Sequence, residues 1–291
     1  MKAIRFHENG GPEVLVYEEA PLPVPGPGEV RVRVAGSAFN PADGGIRGGF
    51  LPFDVTMPHV PGYDVSGTID AVDGSAAQYV VAPVDSVVPA PTTIELADAA
   101  GLPSLSLTAF QALFELARLQ VGQRVAINGA GGPVGGYAVQ LAKSAGAYVI
   151  ATSSYRSEKS VTMSGADEVI HYATTSLFDA LTEPVDVLLN LAPITSGDFT
   201  ALATKVADGG VVVSTTPMVP TPGDEARRVR AETLFLHPDA EALSRMVSLV
   251  DQGQLRVEIA QRLPLSDLPD VHQQADEGKL VGKVIVTPPA D

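Results

Sequence analysis

The chain has 291 residues, 45% of them hydrophobic, enough for a sizeable core and most simply divided between two domains. Its 19 Lys+Arg against 34 Asp+Glu give a formal net charge of -15, so a nucleic acid or an anionic membrane surface would be repelled on approach and neither is expected as a partner. Cysteine is absent, which excludes disulfides, thiolate zinc sites and a cysteine nucleophile.

The opening stretch, MKAIRFHENGG, carries charge and glycine where a secretory signal would be apolar, and no uninterrupted apolar segment of spanning length follows; a soluble, cytoplasmic protein is expected. From Met1 to about Pro91, short runs rich in branched residues (EVRVRVAGSAF, DVSGTIDAV, QYVVAP, DSVVPAP) are cut by Pro and Gly, the pattern of a small antiparallel β domain. PLPVPGPGE, residues 21 to 29, is too rich in proline for a helix or a central strand and reads as an extended connector. Near Ala97 the period changes to helical spacing in LADAAGLPSLSLTAFQALFELARL. Apolar strand-like runs (RVAIN, YVIATS, DEVIHY, DVLLNL, GGVVVST) then alternate with helical stretches, which predicts a parallel sheet covered on both faces. The tail breaks that rhythm with QLRVEIAQRLPL, a polar helix around Asp267 to Glu277, and a last strand in GKVIVTP; it is expected to return to the first domain. The expected boundaries are 1–104 with 253–291 for the β domain and 105–252 for the sheet domain.

NGAGGPVGG, which opens the first crossover of the sheet domain, has the register Ala130-x-Gly132-x-x-Gly135, a dinucleotide fingerprint whose first glycine is alanine. A strand precedes it, a helix follows, and YVIATSS supplies the next strand at the right distance, the context the motif requires. Gly132 would let the backbone approach a pyrophosphate, Gly135 would let the helix lie close to the strand, and Pro133 is tolerated because first-turn N–H groups have no intrahelical partner. Ala130, Gly132, Pro133, Val134 and Gly135 are therefore candidate cofactor-binding residues. A plain glycine-rich turn would account for the loop but not for the end of the next strand. Where an NAD binder has an acidic residue, this strand ends in Thr152, Ser153 and Ser154, followed by Arg156 and Lys159. Hydroxyls and cations suit the 2′-phosphate of NADPH; the alternative is that the serines cap the next helix and the cations are solvated.

With these features in hand, the chain resembles a zinc-independent medium-chain dehydrogenase/reductase of the quinone oxidoreductase branch. The resemblance runs nearly end to end and is carried by MKAIRFHENGGPEVL, PGPGEVRVRV, FNPAD, PGYDVSG, LPSLSLTAFQAL, GAGGPVGGYAVQLAKSAGA, GADEVIHY and GKVIV. It implies an α/β chain in which a GroES-like β domain is joined to a Rossmann domain with a doubly wound parallel sheet. By position it implies that Asn40, Asp43 and Tyr63 line the substrate side, that Thr108 contacts the nicotinamide, that Lys159 and Tyr172 flank the 2′-phosphate, and that Asn190 belongs to the cofactor site. Read by themselves, Asn40 and Asp43 are good turn formers, the two tyrosines ordinary half-buried aromatics, and Thr108 a plain helix position. Zinc-dependent relatives carry histidine where Tyr63 stands, and His7, His59, His171, His237 and His272 show no ligand pairing, so no metal is expected.

The sequence also departs from the family. Gly44 and Gly45 stand where relatives often have large side chains, which would widen the pocket. In GTIDAVDGSAAQYVVAP a further loop and strand present in relatives is missing. The implied reaction is hydride transfer from NADPH to a small-molecule quinone or α,β-unsaturated carbonyl, with water able to supply protons to a reduced quinone. An enoyl or enone reductase of the same fold and a non-catalytic NADPH-binding protein are the alternatives. No G-x-S-x-G elbow or H-E-x-x-H pair suggests a hydrolase. AETLFLH could offer a sheet edge for a homodimer.

Overall fold

The computed structural model describes residues 1–51, 55–71, 78–216 and 218–289. They form two compact units. The first comprises Met1–Ser104, Pro238–Gly253 and Val257–Asp291; the second comprises Leu105–His237 and Gln254–Arg256. Among the described residues no helix is long and apolar enough to cross a membrane.

The first unit opens with β1 (Lys2–Arg5), paired antiparallel to β2 (Val16–Glu19). Next comes β3 (Glu29–Ala38), which buries Val30, Val32, Val34 and Ala38 in the period of two that a pleated strand imposes. FNPAD does not continue as a loop. It starts α1 (Pro41–Arg47), with Pro41 in the first turn and the Asp43 carboxylate accepting the Asn40 N–H at 2.7 Å. That reach back from the third helical position is half of a capping box, and it outweighs the low helix propensity of Gly44 and Gly45. Both β4 (Asp64–Ala71) and β5 (Tyr79–Pro83) pair antiparallel with β3. The join between them, expected to lack a loop and strand, falls at 72–77, outside the described residues. DSVVPAP is not a strand: a single tight turn covers Val84–Ser86.

The helical spacing over residues 96–119 resolves into three pieces, a tight helical segment at Leu96–Gly101, then α2 (Pro103–Phe110), then a wider turn over Gln111–Leu116. Pro103 forces the restart because it has no N–H to give the preceding turn. The widening shows in the Ala117 N–H, which donates to Ala112 O, five residues back.

The second unit alternates strand and helix: β6 (Arg124–Asn128), α3 (Pro133–Ser144), β7 (Tyr148–Ser153), α4 (Glu158–Met163), β8 (Glu168–His171), α5 (Leu177–Ala180), β9 (Val185–Asn190), α6 (Ser196–Ala203), β10 (Val206–Ser214) and β11 (Arg230–Thr233). All six strands are parallel, in the order β8-β7-β6-β9-β10-β11. This is a doubly wound sheet whose order reverses between β6 and β9, the place where such sheets open a crevice at their carboxyl ends. Val125, Ala126 and Ile127 of β6 and Val187, Leu188 and Leu189 of β9 are all fully buried, as central strands covered on both faces must be. The edge strand β11 overlaps the start of AETLFLH, the stretch expected to provide one.

In the tail, α7 (Ala240–Asp251) groups with the first unit, which moves the expected boundary at 252. The reason is a contact distant in sequence: the Asp251 carboxylate accepts the N–H groups of Thr92 and Thr93 at 2.8 and 3.1 Å. Then β12 (Ile259–Pro264), α8 (Leu268–Asp276) and β13 (Lys283–Thr287) complete the unit. β13 pairs antiparallel with β3 but parallel with β12, so the first unit is mixed rather than wholly antiparallel. Its apolar core gathers Ile4, Phe6, Phe39 and Ile46 with Leu268, Val271, Val284 and Val286 of the tail.

Candidate cofactor and substrate sites

The second unit carries the glycine corner. After β6 the chain turns at Gly129, whose φ of +88° is a conformation side chains rarely adopt and whose N–H donates to Thr152 Oγ1 at 2.8 Å. α3 begins after Gly132 with Pro133 in its first turn, and no side chain caps it. The amides of Val134 and Gly135 have no carbonyl four residues back within the helix, so they form a donor pair at the positive end of the helix dipole. A Cβ on Gly135 would overlap the Ala130 backbone, lying 2.5 Å from its carbonyl carbon, so glycine there brings helix and loop together. A Cβ on Gly132 would meet nothing nearer than Gly129 O at 3.4 Å. The protein itself gives no steric reason for glycine at 132; the space in front of it suits a pyrophosphate. Ala130 is buried, 1% exposed.

The end of β7 treats its hydroxyls differently from one another. Ser153, expected at the ribose phosphate, is fully buried, and its Oγ has no partner among the described residues; it ends a strand that is buried from Val149 onward. Ser154 opens the turn that leads into α4 instead, its hydroxyl 3.0 Å from Ser157 Oγ and accepting the Ser157 N–H at 3.3 Å. Arg156, Lys159 and Tyr172 remain exposed at this edge. The sequence reading missed the pair beside them: the Tyr155 ring stacks on His171 at 4.6 Å, and Glu158 faces His171 Nε2 at 3.2 Å. Asn190, expected to reach the cofactor, is fully buried with its amide committed. It accepts from Asn128 Nδ2 at 2.8 Å and donates to Ala192 O and Thr216 Oγ1 at 3.0 and 3.1 Å. It ties β6 to β9 and β10 at the floor of the crevice. Thr108 is half-buried on α2.

The first unit holds a buried polar cluster around Asn40. Lys283 Nζ donates to Asn40 Oδ1 at 2.6 Å and to Phe39 O at 3.0 Å, and lies 3.7 Å from Asp64 Oδ2. Asn40 Nδ2 donates to the same Asp64 oxygen at 2.9 Å, while Asp64 Oδ1 accepts the N–H and hydroxyl of Ser104 at 2.9 and 2.6 Å. Asp43 completes the group. Burial pushes its carboxyl up to about 7, against the lowering effect of the Asn40 N–H, and its Oδ1 has no partner among the described residues. The Lys283 ammonium is pushed below its ordinary value by burial, opposed by Asp64 and Asp43. Tyr63 is half exposed, its phenol raised first by burial and then by the Asp43 charge. Asn40, Asp43 and Tyr63 thus lie together, and with them Asp64, Ser104 and Lys283, which the sequence did not single out.

Gly44 and Gly45 line a cavity of about 590 Å³ in this unit with Pro41, Arg47, Phe50 and Asp276. Its charged wall is a closed pair: buried Arg47 donates to Asp276 Oδ2 at 2.7 Å and to His272 Nδ1 at 3.2 Å. Burial, reinforced by Arg47, lowers His272 to about 4, which keeps the imidazole neutral.

Among the described residues, no group of three or more His, Asp or Glu side chains is arranged to hold a zinc ion. Around Asn40 the carboxylates already face an ammonium, which would repel a second cation at that spot. The histidines are engaged elsewhere: His7 at Glu18, His59 against Phe6, His171 under Tyr155, His237 near Glu115, and His272 at Arg47.

Residues 26–81 match the alcohol dehydrogenase GroES-like domain family, and residues 164–286 match the zinc-binding dehydrogenase family. The chloroplast envelope quinone oxidoreductase homolog of Arabidopsis thaliana is 30% identical, with 99% of this chain and 98% of that protein covered. That alignment runs over 331 residues, longer than this 291-residue chain, so the relative carries segments missing here. Among solved structures, the quinone oxidoreductase from Coxiella burnetii superposes with a TM-score of 0.89 at 27% identity over 99% of both chains. A mycobacterial protein complexed with NADPH superposes with a TM-score of 0.85 at 25% identity, covering 99% of this chain and 100% of its own.

Proposed function

The chain belongs to the quinone oxidoreductase branch of the medium-chain dehydrogenases/reductases, and we propose that this oxidoreductase transfers hydride from NADPH to a quinone or an α,β-unsaturated carbonyl without zinc. The observation that carries the cofactor half is the pairing of an uncapped α3 N-terminus, open in front of Gly132, with a β7 end that has no acidic residue and is followed by exposed Arg156, Lys159 and Tyr172. The Val134 and Gly135 amides would hold the pyrophosphate, and the two cations with the Tyr172 hydroxyl would hold the 2′-phosphate. The mycobacterial neighbour solved with NADPH supports the same choice.

When bound, the nicotinamide supplies the hydride. The protein supplies position and polarity, and orientation alone can contribute about 7–11 kcal/mol. Thr108 would sit beside the nicotinamide, Asn40 would donate its amide N–H to the substrate carbonyl, and the exposed Tyr63 ring would form part of the acceptor's wall. Glu158 is a carboxylate among the cations, but its 3.2 Å approach to His171 Nε2 turns it toward the imidazole. Edge strand β11 would pair with a second copy in a homodimer.

The test is oxidation of NADPH and of NADH by the full chain against a panel of quinones and enones. Turnover of quinones with NADPH, at least about tenfold above NADH, is the expected result, since two charge-assisted hydrogen bonds to the phosphate are worth that much or more. Turnover of enones alone would make the protein an enone reductase. Cofactor binding with no acceptor reduced would refute the catalytic reading.

A further inference from the structure

Asn40 is held from three sides by charged groups, and their polarity leaves its amide one orientation. Lys283 Nζ can only donate, and it meets Asn40 Oδ1 at 2.6 Å; Asp64 Oδ2 can only accept while ionised, and it meets Asn40 Nδ2 at 2.9 Å. Rotating the amide by half a turn would set its NH2 against an ammonium and its oxygen against a carboxylate. The main chain is fixed as well: Asp43 Oδ2 takes the Asn40 N–H and Lys283 takes the preceding Phe39 carbonyl. Asp64 is itself immobilised through its other oxygen by Ser104 at the start of α2.

This arrangement is expensive as mere packing, because three ionisable side chains are taken out of water around one amide, where apolar residues of similar size would hold the fold as well or better. Asp64, Asp43 and Lys283 are 1%, 3% and 4% exposed; Asn40, at 7%, is the most open of the four. Nδ2 carries two hydrogens, Asp64 accepts one, and the other has no acceptor among the described residues.

We propose that Lys283 and Asp64, brought together from the first residues of β13 and β4, are positioning residues that aim the second Nδ2–H of Asn40 at the carbonyl of the quinone or enone. The inference rests on the proposed function. Neither residue touches the substrate; both act through Asn40.

A double-mutant cycle on the full chain tests it. Lys283→Met is expected to lower kcat by about 10- to 100-fold, the scale of a misplaced contact near the reacting centre, while the Kd for NADPH stays unchanged. In an Asn40→Ala background the same substitution is expected to change kcat by less than about twofold, because the group it acts through has gone. An equal loss in both backgrounds overturns the inference and assigns Lys283 a structural role. Where Lys283→Met does not fold, the charge-neutral pair Lys283→Met with Asp64→Asn replaces it in the cycle. A second readout needs no turnover: in side-chain amide NMR spectra of the 15N-labelled protein, duroquinone added without cofactor should shift the Asn40 Nδ2 protons in wild type but not in the Lys283 variant. Unmoved Nδ2 protons in a protein that still reduces quinones refute this inference alone. A wild type that reduces no quinone or enone refutes both it and the proposed function.

Discussion

Gly132→Ala separates the ligand role of the glycine corner from its packing role. The residue has φ -86° and ψ 169°, which alanine adopts without strain, and the added Cβ makes only an ordinary contact with Gly129 O at 3.4 Å. Alanine restricts the unfolded chain, a gain of about 0.4–1 kcal/mol, and is a poorer N-cap than glycine by a similar amount, so stability should stay within about 1 kcal/mol of wild type. Under the proposed function, the methyl group would occupy the space where a pyrophosphate oxygen approaches the Val134 and Gly135 amides. Loss of one hydrogen bond to a charged group, about 1.5–3 kcal/mol, corresponds to a Kd for NADPH raised roughly 10- to 150-fold. Calorimetric titration beside thermal melting reads both quantities. Gly135→Ala is the contrast: its Cβ runs into the Ala130 backbone, which cannot rotate away, so about 1–3 kcal/mol of stability should go together with the affinity. A Gly132→Ala protein that melts and binds NADPH like wild type would refute the assignment of this corner.

Two buried groups give opposite pH signatures. The Asp43 carboxyl is raised from 3.8 to about 7, so the folded state holds the extra proton, and its contribution makes stability fall as pH rises from about 4 to 7, by up to about 4 kcal/mol. His272 is lowered from 6.5 to about 4, so here the unfolded state holds the extra proton and stability rises over that interval, by up to about 3 kcal/mol. In urea unfolding across pH, Asp43→Asn should gain on wild type as pH increases from 4 to 7, and His272→Gln should lose its advantage from 4 to 6.5; parallel curves would contradict both. Lys283→Met should cost about 3–5 kcal/mol by leaving Asp64 buried and uncompensated, and adding Asp64→Asn should return part of that loss in the same assay. Arg156→Ala with Lys159→Ala should weaken NADPH binding while sparing NADH. An equal effect on both cofactors would mean that these cations do not read the 2′-phosphate.

What the sequence revealed and what it hid divides by the range of the interactions. The six parallel strands and the glycine corner are legible because their signals are local: apolar runs such as RVAIN and VLLN, and glycines at fixed offsets before a helical period. The choice between Ser153 and Ser154 was not legible, since it depends on where β7 ends: Ser153 is its last, buried residue and Ser154 the first beyond it. FNPAD reads as turn chemistry, yet Asn followed three residues later by Asp is also the start of a capping box, a signal that could have revealed α1. GKVIV reads as a last strand returning to the first domain, but not as the source of a site residue: the partner of Lys283 is Asn40, 243 positions away, and nothing in the spacing of residues announces that pairing. The place of α7 was hidden for the same reason, depending as it does on Asp251 reaching Thr92 and Thr93. The hydrogen bonds by which Asn190 joins β9 to β6 and to Thr216 were not legible either, because their partners lie 62 and 26 positions away.

The most direct test of the account is a single turnover in which the full chain, loaded with NADPH, is mixed with excess quinone and loss of the reduced nicotinamide is followed in time. The account requires stoichiometric oxidation at a rate that collapses when NADH replaces NADPH at the same subsaturating concentration. Reduced cofactor that stays bound and unoxidised in the presence of quinones and enones alike would contradict it.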